Sequence, residues 1–125
     1  MNIAKLDSWV KEKEGIKILD RQAIESLQLE KLNRLLEREY ARQGFYRNLP
    51  RRLNSLKELE NLPFTTEQDL KEQGNRMLLV SQSKIERVRS WETSGTTGPA
   101  KRVFYTARDN DRTVSFFSAG LSELI

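Results

Sequence analysis

The stretch from Asp20 to Gln43 constrains this chain more than any other. It contains no Pro and no Gly, and its apolar residues recur at helical spacing. Ile24 and Leu27 start a stripe that Leu29, Leu32, Leu36 and Tyr40 continue, with Leu35 alongside. Asp20 is suited to cap its start, and Gly44 to stop it. The simplest reading is a long core-facing helix.

Shorter elements surround it. Ile3, Leu6 and Val10 predict an amphipathic helix over 2–14, closed by Gly15, with Ile16–Leu19 as a connector. Gly44–Pro50 breaks the long helix. Ser55 and Glu58 form an expected capping box for a short helix over 56–60. Asn61–Phe64 is extended, because a residue before Pro avoids the helical region. Thr66 with Asp69 opens a helix ending at Gly74, and Leu78–Val80 reads as a short buried piece. Lys84–Glu92, with Ile85, Val88 and Trp91, predicts one strand, and Arg102–Thr106 a second. Thr106 with Asp109 opens a last helix from about Ala107 toward Ile125, with Val114, Phe117 and Leu121 on one face. The expected fold class is α+β: mainly helical, with a small β-hairpin joined by the loop 93–101 and a C-terminal helix.

Composition removes whole classes of chemistry. The chain of 125 residues has no Cys and no His. Disulfides, thiolate nucleophiles, Cys/His zinc sites and Ser-His-Asp triads are excluded. Any chemistry here works by positioning and electrostatics, or borrows groups from elsewhere. Leu, Ile, Val and Phe make up about a quarter of the chain, above the level of a disordered one. The longest purely apolar run is Met77–Val80, and the first residues are polar. A cytoplasmic protein without membrane association is expected. The net charge of +4 is unevenly placed. Between 84 and 108, Lys84, Arg87, Arg89, Lys101, Arg102 and Arg108 face only Glu86 and Glu92. This basic region surrounds the one loop rich in Gly, Ser and Thr, which points toward a polyanion.

That loop is Thr93-Ser94-Gly95-Thr96-Thr97-Gly98-Pro99-Ala100-Lys101. Its glycines let backbone N–H groups turn toward a ligand. Its hydroxyls are donors, and Lys101 and Arg102 add fixed positive charge. Together they suit nucleotide phosphates, although the spacing is not that of a Walker loop. A flexible polar hairpin is the alternative.

Thr93–Gly98 followed by Lys101 resembles the phosphate loop of the acyl-adenylate-forming enzymes, which include acyl-CoA ligases. The flanks are similar to phenylacetate–CoA ligases in particular. Leu62-Pro-Phe-Thr-Thr-Glu-Gln-Asp-Leu70 matches a segment of that family. So do Phe45-Tyr46-Arg47 after a long helix, Ile85-Glu-Arg87 before the loop, and Tyr105-Thr106-x-x-Asp109 after it. The resemblance covers residues 20–125, with 1–19 as a preceding helix and connector. It implies that Thr93, Ser94, Gly95, Thr96, Thr97, Gly98 and Lys101 hold the β- and γ-phosphates of ATP with Mg²⁺. The family's usual Gly-Lys-Pro-Lys is Gly98-Pro99-Ala100-Lys101 here: the first Lys is gone and the second is kept.

The family's enzymes are about three to four times longer, so the resemblance implies an N-terminal portion of a larger α/β enzyme. The full reaction would form an acyl-adenylate from a carboxylate and ATP, then a thioester with CoA. No catalytic residue and no metal ligand is expected within this chain, and alone it is expected to be inactive. An acyl-protein synthetase of the same superfamily is the close alternative. A basic nucleic-acid-binding module using Arg47, Arg51, Arg52, Trp91, Phe104 and Tyr105 is a second, and a non-catalytic helical interaction domain a third. The chain stops on Leu124-Ile125 at the end of an apolar helix. That helix is therefore expected to pack on something absent and to make residues 107–125 a homo-oligomer contact. The alternative is that it folds back on Leu29, Leu32 and Leu36.

Overall fold

The computed structural model describes residues 5–91 and 100–124. Helix α1 spans Lys5–Glu14. The start expected at residues 2–4 lies outside the described residues. Gly15 takes φ 68°. Its N–H bonds to Glu12 O, and that of Ile16 to Lys11 O at 3.0 Å. These paired bonds close a helix on a left-handed residue.

Helix α2 spans Arg21–Arg42, and the Asp20 side chain accepts the Ala23 N–H at 2.7 Å. Its far end departs from expectation. Gln43, not Gly44, adopts the left-handed conformation, with φ 51°. Gly44 serves another need. A Cβ there would lie 2.1 Å from Glu39 Oε2, so a side chain at 44 would force Glu39 to shift. Of the stripe, Leu36 is buried, while Ile24, Leu27, Leu29 and Leu32 are half-buried; Leu35 and Tyr40 stay exposed.

The chain returns along α2 and is fastened there by one side chain. Asn33 Nδ2 donates to Leu53 O at 3.0 Å, and its Oδ1 accepts the Leu53 N–H at 2.8 Å. Leu53 is the most deeply buried residue described, only 1% exposed. The expected box at Ser55 and Glu58 does not form. Residues Leu56–Asn61 make a 3₁₀ helix, and Ser55 makes no capping bond. Glu58 Oε1 reaches back to the Asn54 N–H at 3.2 Å instead. The longer rise of a 3₁₀ turn shifts the third residue out of capping-box geometry.

Helix α3 spans Glu67–Gln73, and its box is complete. Thr66 Oγ1 accepts the Asp69 N–H at 3.1 Å, and Asp69 Oδ2 accepts the Thr66 N–H at 2.8 Å. Gly74 does not end the turning. It stays right-handed and leads a 3₁₀ turn over Gly74–Met77. Leu78–Val80 is half-buried rather than buried.

Strands β1 (Ile85–Trp91) and β2 (Lys101–Thr106) pair antiparallel, with an irregularity between Ile85 and Arg87. Helix α4 (Ala107–Leu121) follows at once from a second complete box, Thr106 with Asp109. It packs on the hairpin and on α1. Trp9 and Phe116 meet edge to face at 4.8 Å, and Asn110 Nδ2 donates to Glu86 Oε2 at 2.5 Å. Glu14 joins three helices, taking Lys31 from α2 and Arg112 from α4, the latter at 2.6 Å. The Lys31 contact and both positive charges hold the Glu14 carboxyl below its ordinary value, against the opposing effect of burial.

Helix α4 thus does not lie mainly on Leu29, Leu32 and Leu36. Its outer face remains bare: Val114 is 66% and Phe117 68% exposed, and Leu121 is exposed too. Among the described residues no helix is long and apolar enough to cross a membrane.

Candidate functional site

Thr93, Ser94, Gly95, Thr96, Thr97 and Gly98 lie outside the described residues. Lys101 lies within them. It opens β2, opposite Trp91 in the register, with its side chain about one-third exposed. Its Nζ stands 3.8 Å from Glu67 Oε1, and Lys71 Nζ stands 3.2 Å from the same atom. Glu67 sits in the first turn of α3, where the helix dipole favours an acid. Lys71, by hydrogen bond and charge, and then Lys101 hold its carboxyl below the ordinary value.

Reading the sequence did not single out Glu67. The capping box at Thr66 placed it at a helix start, and Lys71 four residues on is a readable partner. Its approach to Lys101 is made by the fold.

The seat of α3 is built from segments far apart in the chain. Tyr46 Oη and Thr65 Oγ1 are 2.5 Å apart. The Phe45 N–H donates to Arg76 O at 3.1 Å, and the Phe45 and Tyr46 rings meet edge to face at 4.8 Å. The Tyr46 N–H points to Glu39 Oε2 at 3.4 Å. Burial pushes the Glu39 carboxyl above its ordinary value, more than the Tyr46 N–H and the Arg38 charge lower it. Phe45-Tyr46-Arg47 therefore ties the end of α2 to both ends of the α3 region. The α3 region in turn abuts β2, where Leu70, Gly74, Arg102 and Phe104 line a cavity of about 220 Å³. Phe45–Arg47, the α3 region and β2 thus form one continuous structure leading to Lys101.

The hairpin's two faces differ. Arg87 and Arg89 share one face with Val103 and Tyr105, and Arg89 lies over the Tyr105 ring at 5.9 Å. Val88, Ser90, Arg102 and Phe104 share the other. The aromatics of the nucleic-acid reading, Phe104 and Tyr105, thus point to opposite sides. Its Arg51 stacks on Tyr40 at 4.2 Å and pairs with Glu37 at 3.2 Å. Among the described residues no group of three or more acidic side chains could hold a metal ion. Of the seven residues expected to hold phosphate, Lys101 is the one described, and its cation suits a phosphate.

No family model matches the chain. A curated protein does: the chain is 33% identical over 102 residues to a phenylacetate-coenzyme A ligase of Thermus thermophilus. The match takes in 75% of this chain and 22% of the ligase, so the chain spans about a fifth of that relative's length. The chain has a distant relationship to phenylacetate-coenzyme A ligase.

Proposed function

We propose that this chain is the N-terminal portion of an AMP-forming acyl- or aryl-CoA ligase, with residues 20–125 beginning its adenylate-forming domain. In this reading Thr93, Ser94, Gly95, Thr96, Thr97, Gly98 and Lys101 receive the β- and γ-phosphates of ATP, with Mg²⁺ arriving on the triphosphate. The loop orients the pyrophosphate leaving group and offsets its charge as the carboxylate attacks the α-phosphorus. The acyl-adenylate then passes to the CoA thiol on surfaces beyond this chain. The proposed compartment is the cytoplasm, where ATP and CoA are available.

The observation that carries the reading is the similarity to the ligase. The fixed position of Lys101 at the hairpin end supports it.

The test is Lys101→Ala in a ligase that contains this segment. Lys101 can help only while the pyrophosphate charge is present. Acid-dependent ATP–pyrophosphate exchange should slow about ten- to a hundredfold, the effect of losing one charge-assisted phosphate contact. Thiol transfer from preformed acyl-adenylate should keep its rate. An equal loss in both steps overturns the role. The isolated chain should catalyse no exchange.

A further inference from the structure

We propose that the outer edge of β1 receives an extended segment of another protein, one that alternates acidic and apolar residues and joins the hairpin as a third strand. A two-stranded sheet leaves each strand one edge without a strand partner. The edge of β2 is covered. It runs against the α3 region, where a Cβ on Gly74 would lie 3.9 Å from Arg102 O. The edge of β1 is open. Among the described residues no other strand lies beside it. Residues 86–90 are all exposed, and Val88 is 48% exposed. Such an edge presents a row of N–H and C=O groups that an added strand can pair.

Charge selects the partner. Between 84 and 90, Lys84, Arg87 and Arg89 stand against Glu86 alone. The Glu86 carboxylate already accepts the Asn110 amide at 2.5 Å. Among the described residues, Arg87 and Arg89 make no ion pair. They share one face of the hairpin, and two strand residues at about 3.4 Å each set them about 7 Å apart. An added strand carries its alternate side chains at the same spacing, so carboxylates on that face meet both guanidinium groups. The side chains between them fall on the other face, beside Val88, where apolar groups fit.

A second copy of β1 does not fit this edge. Paired antiparallel about Val88, it would set Arg87 against Arg89 on both sides of the two-fold axis, and like charges directly opposite repel. A wholly apolar strand would leave both arginines without a carboxylate. The edge residues 86–90 include none of those proposed to hold phosphate.

The experiment titrates the isotope-labelled chain with a capped peptide of alternating Val and Glu, matched to the seven residues of β1, reading amide shifts. A peptide of alternating Val and Lys is the control. The glutamate peptide should shift the amides of residues 86–90 saturably and bind at least fivefold more tightly than the lysine peptide. Methylating one alternate set of its amide nitrogens should abolish binding, and methylating the other set should not, because one edge of the peptide pairs with β1. Arg87→Glu with Arg89→Glu should reverse the preference toward the lysine peptide, a gain that unfolding cannot imitate. Both side chains are exposed, so the fold should persist. Equal binding of the two peptides, no saturation, shifts confined to residues outside β1, no difference between the two methylated peptides, or an unchanged preference in the double variant would each overturn the proposal.

Discussion

Lys101 Nζ stands 3.8 Å from Glu67 Oε1, so the residue leaving the loop is tethered to the first turn of α3. An exposed ion pair of this kind is weak and yields readily to a better anion. A triphosphate is such an anion, and Glu67 competes with it for Lys101. Glu67→Gln should therefore tighten MgATP binding about twofold, measured by calorimetry on the ligase that contains this segment. Weaker binding would mean that Glu67 instead holds Lys101 in place.

Among the described glycines, Gly44 has the least room for a side chain. Gly44→Ala sets a Cβ 2.1 Å from Glu39 Oε2 and 3.3 Å from Leu79 Cδ2. Glu39 is buried and cannot swing freely. The cost should be about 1–3 kcal/mol by urea unfolding. It should shrink in a Glu39→Ala background, because the clash is then gone, with a coupling of about 0.5–3 kcal/mol. Gln43→Gly should act in the opposite direction. It relieves a left-handed residue and should raise stability by about 0.5–1 kcal/mol.

Asn33 serves both backbone groups of Leu53. Asn33→Ala leaves a buried N–H and C=O without partners and should cost about 1–3 kcal/mol. Asn33→Asp keeps the acceptor but sets a carboxylate oxygen against Leu53 O. It should destabilise at neutral pH at least as much as alanine, by the same unfolding measurement.

Glu39 gives a pH signature of its own. Its carboxyl titrates above the ordinary value in the folded state because burial disfavours its charge. The folded chain thus binds that proton more tightly than the unfolded chain. Stability from this group is greatest below the ordinary carboxylate value and falls as pH rises through the raised one. Glu14, Glu67 and Asp69 are shifted the other way, so their contributions appear above the ordinary value and are lost in acid. The difference between the parent and Glu39→Gln isolates Glu39. The glutamine variant should gain on the parent as pH rises from about 4 to 7. A difference that does not change with pH would contradict this account.

The outer face of α4 is expected to self-associate. Val114 and Phe117 are more than half exposed. A standard two-fold interface needs about 800 Å² from each partner. Light scattering should show a homodimer through residues 107–125, and Phe117→Glu should dissociate it. A mass near 14.6 kDa at high concentration would count against this.

The long helix, the boxes at Thr66 and Thr106 and the two strands were legible in the sequence. They rest on interactions within three or four residues, or on the period of one element. Of the seven residues expected to hold phosphate, only Lys101 falls among those described. Other features were decided by tertiary structure alone. Leu53 is the most buried residue because Asn33, twenty positions earlier, holds both its backbone groups. Position 44 has little room for a side chain because the Glu39 carboxyl, five positions earlier, lies against it. Glu67 meets Lys101 because Tyr46 and Thr65 help seat α3 against β2. Local spacing specifies elements, since a helix or strand closes most of its own hydrogen bonds. Which side chain is buried, and which carboxylate meets which ammonium, depends on how the elements pack.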